Sequence, residues 1–524
     1  MTSENIVLVN LPWRTSNLED AGKEKGINSD SRLGMEHVGL LYLQTLLKNA
    51  GIDTKVYDFN FEMFHGKART LEDYTRLITS TNPSIVGFSS YLTSIKNDFL
   101  VAKEIKKQNP ETKIIFGGSH ASHTAKEILE NNLFVDAIFK GEAFGTIVSG
   151  VEALLVDTYL GCTEGLVFRR NGKIVDTGWG PRMNLYDLPL PLRHRETYQL
   201  TKTASIMPAI GCPAACTFCC AEGPRNHSWR TRDSESLFRE IEYLSTNFGI
   251  NTIETHCDDA FGPLAKAKSH YKNLAQKLID GNHNIQWRSV LRSTDFREGG
   301  PLLDKDFWRL MHKSGLERVY VGFEAGTDDR LRKLKKPAKI EDNKRMFHFL
   351  RDLGTAVQYG FIMFFSNSDM DEIRQNQDFL YELKNPSYHN YSTKLIIQPG
   401  SQDFKEHKEQ NKLQRPFYLP QDYSFLNPKI KLIHDAYNKF IRHQEPINKL
   451  CLDLDNALLN RQDETIHLEQ IVKVREELLK TRIQDLYQTG RKVLDNPEEA
   501  LNILGKFNER WQIKYREYLT ENAI

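Results

Sequence analysis

This sequence has no excess of either charge. Its 524 residues carry 70 lysines and arginines against 69 aspartates and glutamates, a formal net charge of +1. That balance argues against a general nucleic-acid binder and against a polybasic membrane-surface protein. Long hydrophobic runs are missing too. The best, Tyr359 to Phe365, falls far short of the roughly 18 residues that mark a membrane-spanning helix. The amino-terminal stretch, with Glu4 ahead of a short apolar run, does not read as a secretory signal. There is no internal repeat and no low-complexity tract. Cysteine is scarce, seven in all, which excludes a disulfide framework in a chain of this length. Four of the seven nevertheless fall within nine positions, at 212, 216, 219 and 220. At about 150 residues per domain, the length suggests three units with full cores.

Residues 1–150 alternate short apolar runs with amphipathic stretches. Ile6–Val9, Lys55–Tyr57, Ile85–Phe88, Lys113–Phe116 and Ala137–Phe139 read as strands, and Val38–Lys48 and Phe99–Ile105 as helices. Strands alternating with helices predict an α/β, doubly wound parallel sheet. Ligands of such sheets sit outside the carboxyl ends of the strands. Asn10-Leu11-Pro12, Asp58, Ser89-Ser90-Tyr91, Gly117-Gly118 and Gly141-Glu142 occupy those ends. Residues 151–200 read as a connector with one hairpin, turning at Asn171-Gly172, and a stiff Leu188-Pro189-Leu190-Pro191 segment. Residues 201–400 show six more strands, near 204–207, 252–255, 286–290, 318–323, 358–365 and 394–398, which predict a partial (β/α)6 barrel. Residues 401–524 read as a helical carboxyl-terminal region, with one long helix over 466–489 stopped at Gly490.

The chemistry concentrates in Gly211-Cys212-Pro213-Ala214-Ala215-Cys216-Thr217-Phe218-Cys219-Cys220, directly after the first barrel strand. Thiolates at this C-x3-C-x2-C spacing can converge on one face of a compact loop. Soft sulfur donors suit zinc or an iron–sulfur cluster. A structural zinc wants four ligands, often as two separated pairs, and no second pair follows. Three thiolates fit a [4Fe–4S] cube with one open iron better.

C-x3-C-x-aromatic-C at the mouth of such a barrel resembles the radical S-adenosylmethionine (SAM) enzymes. The resemblance implies that Cys212, Cys216 and Cys219 hold the cluster, that Phe218 fills the aromatic position, and that the open iron chelates SAM. Trp229 to Ser234 resembles the family segment before the first long helix. Cys257-Asp258-Asp259-Ala260-Phe261 is similar to the acidic end of its second strand, and Val321-Gly322-Phe323-Glu324-Ala325-Gly326 to the Gly-x-Glu-Ser-Gly of its fourth, with alanine at 325. Ile397 to Ser401 is similar to the motif closing its sixth. Glu324, Asp258, Asp259 and Arg292 are thereby SAM-site candidates. The alternatives are a helix-start carboxylate for Glu324, a solvated turn for the aspartates and a surface salt bridge for Arg292. Cys220 reads as a packed thiol; Cys162, Cys257 and Cys451 read as core or incidental.

A doubly wound domain ahead of such a barrel resembles the cobalamin-binding domains of one subclass, the class B enzymes. Ser90-Tyr91-Leu92 and Gly117-Gly118 match two of the usual signatures, and small residues there let backbone approach a buried nucleotide tail. The metal-binding histidine signature is absent: Pro12 stands in its place. The resemblance implies weak ligation beneath cobalt, with Tyr91 or the 10–15 loop as the nearby group. His120 is placed near the corrin or its tail as a hydrogen-bonding residue, and His37 is incidental. Gly141-Glu142 follows the fifth strand; Glu142 bonds a corrin amide or caps a helix. The implied reaction is methylation of an unactivated carbon, started by a 5′-deoxyadenosyl radical and completed from methylcobalamin. A cobalamin-dependent oxidative cyclisation or rearrangement is the alternative. Methylthiotransferases carry further cluster cysteines in their first domain, and residues 1–161 have none. The implied partners are a small-molecule or peptide substrate and an electron donor such as flavodoxin or ferredoxin. An oxygen-sensitive cluster implies a reducing cytoplasm.

Overall fold

The computed structural model describes residues 5–12, 34–67, 69–220, 229–262, 264–281, 283–384, 388–410, 412–413, 415–418, 421, 423–442 and 465–521. Residues 13–15 of the loop after the first strand, and Cys451, lie outside the described residues.

The first sheet contains β1 (Asn5–Asn10), β2 (Asp53–Asp58), β3 (Ile85–Ser89), β4 (Lys113–Gly117), β5 (Ala137–Phe139), β6 (Leu166–Arg170) and β7 (Lys173–Asp176), in the order β2-β1-β3-β4-β5-β6-β7. The first five run parallel. Alternate residues of each strand feed opposite faces. Ile6, Leu8, Ile85, Ile115, Ala137 and Phe139 pack against helices Val38–Asn49 and Ile147–Leu155. Val7, Val9, Val86, Phe88, Ile114 and Phe116 pack against helices Leu71–Thr79, Ile95–Gln108 and Ala125–Asn131. The order reverses between β1 and β3, where a doubly wound sheet opens its ligand crevice. The predicted hairpin forms with its turn at Asn171 and Gly172, both at positive φ. It is more than a connector: β6 pairs antiparallel with β5 and extends the sheet.

The second sheet contains β8 (Thr203–Ile206), then, beyond the two-stranded ribbon of β9 (Ala209–Ile210) and β10 (Arg230–Thr231), β11 (Thr252–Thr255), β12 (Gln286–Leu291), β13 (Leu316–Glu324) and β14 (Ala356–Phe361). The order β14-β13-β12-β11-β8 is parallel throughout, the curved wall of a partial barrel. The expected sixth strand shrinks to one parallel bridge, Phe364 to Lys394, and one antiparallel bridge, Ile397 to Gln421. Asp233 caps helix Ser234–Phe248, accepting the Ser236 N–H at 2.8 Å.

Helices Pro428–Arg442, Thr465–Asp495 and Ala500–Glu521 complete the barrel side. Leu486, Leu504, Phe507 and Trp511 share the barrel's core. The long helix does not stop at Gly490. It continues five residues further, and a Cβ at 490 would come within 3.0 Å of Gln377 and 3.1 Å of Tyr437. That glycine is a close-packing position rather than a cap. Among the described residues no helix is long and apolar enough to cross a membrane.

Candidate active site

Residues beyond the carboxyl ends of the first sheet meet the barrel side: Ser119 and His123, after β4, contact Cys220, and Glu142, after β5, pairs with Arg230. The loop bearing the three cysteines leaves β9 through Gly211, at φ +88°, a left-handed conformation that suits glycine. The barrel holds this loop from several sides. Thr217 N–H donates to Leu334 O at 3.0 Å, Asp403 N–H donates to Thr217 O at 3.0 Å, and Asp258 accepts the Gly211 N–H at 3.2 Å. Cys212 and Cys216 are half-buried, as is Phe218; Cys219 is exposed. Burial pushes the Cys212 thiol up to about 11 and raises Cys216, against the pull of Arg292 and Lys336. Three thiols on one loop, with two cations beside them, could supply the donors for a soft, anionic iron–sulfur cluster. Among the described residues no three His, Cys, Asp or Glu side chains close on one point as a single ion requires. The ligands of a cubane sit on separate irons and need not.

The acidic residues divide by role. Asp259 is 1% exposed and binds Arg292 Nε at 2.6 Å, and its carbonyl accepts Trp229 Nε1–H at 2.7 Å. Arg292 is therefore held by a buried carboxylate beside the cluster loop, not spent on a surface pair. Glu324 ends β13 at φ +67°, just past a register shift in the β13–β14 pairing. A non-glycine residue in this conformation stores strain of about 1–2 kcal/mol, a frequent mark of functional positions. Burial raises its carboxyl pKa, opposed by Lys336, whose Nζ lies 3.5 Å away. A Cβ at Gly322 would meet Glu324 Oε1 at 1.9 Å and so displace that carboxylate from its present position. Ala325 is fully buried, and the Gly326 N–H donates to Asn376 Oδ1 at 2.8 Å. Lys336 escaped the sequence reading; it sits in a cation-rich stretch, 330–336, indistinguishable there from a wet helix face.

The first domain opposes this with an apolar cavity of about 200 Å³ at the β1–β3 crevice. Leu8, Gly87, Ile115 and Phe139 line it together with Gly117, Gly118, Gly141, Tyr91 and His37. A Cβ at Gly87 would strike Leu8 at 2.9 Å, and one at Gly118, at φ +90°, would strike Ser90 O at 2.8 Å. Ser90 itself turns away: its hydroxyl donates to Asp98 at 2.7 Å, and neither it nor Leu92 lines the cavity. Pro12 is buried at the end of β1 and its carbonyl accepts from Asn97 at 3.3 Å. Among the buried polar atoms of the described residues that lack partners are His120 Nε2 and Glu142 Oε2. His120 lies outside the cavity lining and stacks on Phe417 at 6.4 Å, whereas Glu142 lines the cavity and caps no helix. Glu142's other oxygen pairs with Arg230 of β10, across the domain boundary. The glycine-walled slot and these unsatisfied edges fit a ligand carrying a flat buried tail and many amides.

His37 is not incidental. Its Nδ1 accepts the Leu40 N–H at 3.2 Å, capping helix Val38–Asn49, so Nε2 carries the proton toward Ser89 Oγ at 2.8 Å. Tyr91 OH lies 3.3 Å from the same nitrogen. Burial pulls His37 down to about 4 and pushes Tyr91 up to about 12, so both are neutral. His256, after β11, bears electrostatically on both His37 and Asp258, which places it between the two strand-end faces.

Comparison with known proteins identifies both domains. Residues 25–149 match the B12 binding domain family and residues 206–380 the radical SAM superfamily. The fold and site define a radical SAM enzyme. More particularly, the chain belongs to the cobalamin-dependent radical SAM enzymes, whose cofactors are a [4Fe–4S] cluster, SAM and cobalamin. It is 24% identical to an uncharacterised methyltransferase of Pyrococcus horikoshii, over 66% of this chain and 73% of that one. It is 26% identical to a hopanoid C-3 methylase of Methylococcus capsulatus, over 63% and 61%. It is also 26% identical to an anaerobic magnesium-protoporphyrin IX monomethyl ester cyclase of Rubrivivax gelatinosus, over 58% and 55%. The chain thus spans less than two thirds of the methylase and of the cyclase. In fold it resembles the cobalamin-dependent SAM radical enzyme OxsB, with a TM-score of 0.77 at 16% identity, over 100% of this chain and 82% of that one. It also resembles the radical SAM methyltransferase TsrM of Kitasatospora setae, with a TM-score of 0.60 at 16% identity, over 79% and 76%.

Proposed function

We propose that the protein methylates an unactivated carbon of a small-molecule or peptide substrate held between the two strand-end faces. The observation carrying this is the contact of the cysteine loop with the helix that follows Gly117-Gly118 of the glycine-walled cavity, where Cys220 Sγ lies 3.8 Å from Ser119 Oγ and Cys220 O 3.1 Å from His123 Nε2. When bound, the cluster and SAM supply hydrogen abstraction, and cobalamin supplies the methyl group.

The chain's residues orient and enclose. Cys212, Cys216 and Cys219 would hold the cluster, with Phe218 packed beside them. Glu324, kept near Lys336, would take the SAM ammonium, and Arg292, fixed by Asp259, would stand beside its carboxylate. Asp258 would hold the start of the cluster loop through Gly211. Gly117, Gly118 and Gly141 would admit the cofactor's nucleotide tail, with Pro12, Ser90 and Leu92 shaping the surrounding loops. His120 and Glu142 would offer their unsatisfied atoms to amide groups. Tyr91 and His37, both neutral and joined through His37 Nε2, would line the wall that the cofactor meets in this cavity. A ferredoxin- or flavodoxin-type protein would supply electrons.

A second reading, oxidative ring closure, draws support from the cyclase among the relatives. The mass of the turnover product separates the two. Methylation adds one methylene; a product lighter by two hydrogens would overturn it in favour of cyclisation. Unchanged product formation by Cys216→Ala would overturn both.

A further inference from the structure

The cluster loop continues past Cys219 into a contact with the opposite domain. Cys220 Sγ donates to Gln398 Oε1 at 3.0 Å, and it lies 3.8 Å from Ser119 Oγ, directly after Gly117-Gly118. Its carbonyl lies 3.1 Å from His123 Nε2. Burial lowers the His123 pKa, so the ring is neutral and Nε2–H is the donor in this bond. The His123 ring also packs against Gly400, at φ +93°, where a Cβ would come within 2.4 Å of it. Trp179 meets the same ring edge-on at 5.3 Å.

One residue beyond the proposed cluster ligand Cys219, the chain is therefore bonded to the helix Ser119–His123, which starts directly after Gly118 of the cavity lining. Two further contacts come from the strand-end turn Gln398–Gly400 of the barrel. The path from Cys219 to Gly118 is one peptide bond, one side-chain contact and one more peptide bond. Reactions of this type depend on placement, because displacement by about 1 Å can cost about 100-fold in rate.

We propose that Cys220, His123 and Gly400 are positioning residues that set the spacing between the cluster and cobalt. Cys220 is then neither a bystander nor a fourth ligand. The proposal rests on the two-cofactor reading above.

The test uses the full chain carrying cluster and cobalamin, with the cluster reduced and cobalt in its paramagnetic Co(II) state. Pulsed EPR reads the magnetic coupling between the two centres without any substrate. In Cys220→Ala and His123→Ala, iron and cobalamin contents stay at wild-type levels, while the coupling weakens and its distribution widens. Cys220→Ser, which keeps a donor to Gln398, restores most of it. In turnover with substrate, product formed per 5′-deoxyadenosine falls roughly ten- to a hundred-fold in the alanine variants. A coupling distribution unchanged in both alanine variants would overturn the seam. Loss of iron, or altered g-values of the reduced cluster, in Cys220→Ala would overturn it by making Cys220 part of the ligand set. No coupling in the wild type would instead count against the two-cofactor reading itself.

Discussion

Glu324 combines three features that rarely coincide in a merely structural residue: left-handed backbone, burial and a single nearby lysine. Glu324→Gln keeps its shape and removes its charge. SAM affinity should fall by about 10- to 100-fold, the value of one charge-assisted hydrogen bond of ~1.5–3 kcal/mol, with cluster content unchanged. Equilibrium binding of SAM to the reconstituted protein reads this directly. Asp98 behaves differently. Burial lifts its carboxyl to about 7, only Ser90 and Ser94 oppose that, and its Oδ1 has no partner. The folded state therefore holds a proton that the unfolded chain has already released above about pH 4. Stability falls as pH rises from about 4 to about 7, by up to ~1.4 kcal/mol per unit, and levels off above that. Asp98→Asn should flatten this dependence in melting curves taken between pH 5 and 8. The cysteines, Glu324 and the paired glycines were legible in the chain because their motifs are local. The pairings of His37 with Ser89 and Tyr91 and of Lys336 with Glu324 were not, since they join residues more than ten positions apart.

Gly117, Gly118 and Gly141 follow β4 and β5 and line the first-domain cavity. Gly118→Ala adds a left-handed penalty of about 1–2 kcal/mol and forces a carbonyl contact. Cobalamin retained after desalting should drop while iron content stays normal; equal retention would detach this loop from the cofactor. Strand and helix positions were readable throughout both sheets, because buried parallel strands write short apolar runs between turn residues. Two elements resisted. The sixth barrel strand looks regular over 394–398 but forms only isolated bridges, from Phe364 to Lys394 and from Ile397 to Gln421. Gly490 resembled a helix stop because sequence does not distinguish a glycine needed for its φ from one needed for its size.

Across the whole molecule, the two domains are joined by a buried ionic network. Arg193 bridges Glu36 of the first domain and Glu240 of the second, Arg232 pairs with Glu240, and Tyr198 donates to Glu36 at 2.8 Å. The Ser205 N–H of β8 donates to Glu36 as well, at 3.2 Å. Removing one member leaves a buried carboxylate uncompensated, so Arg193→Met should cost about 3–5 kcal/mol and lower the urea midpoint of unfolding. None of this was visible in the sequence, because Glu36 and Arg193 are 157 positions apart and each reads as a surface charge. The same network fixes the two strand-end faces against each other, which is what a shared reaction space needs. The central claim, that one chain brings an iron–sulfur cluster and a corrin to that space, is tested most directly by the absorption spectrum and metal content of protein purified without oxygen and supplied with cobalamin. Both chromophores should be retained after desalting, one cluster and one corrin per chain. A full complement of cluster with no corrin would contradict the account.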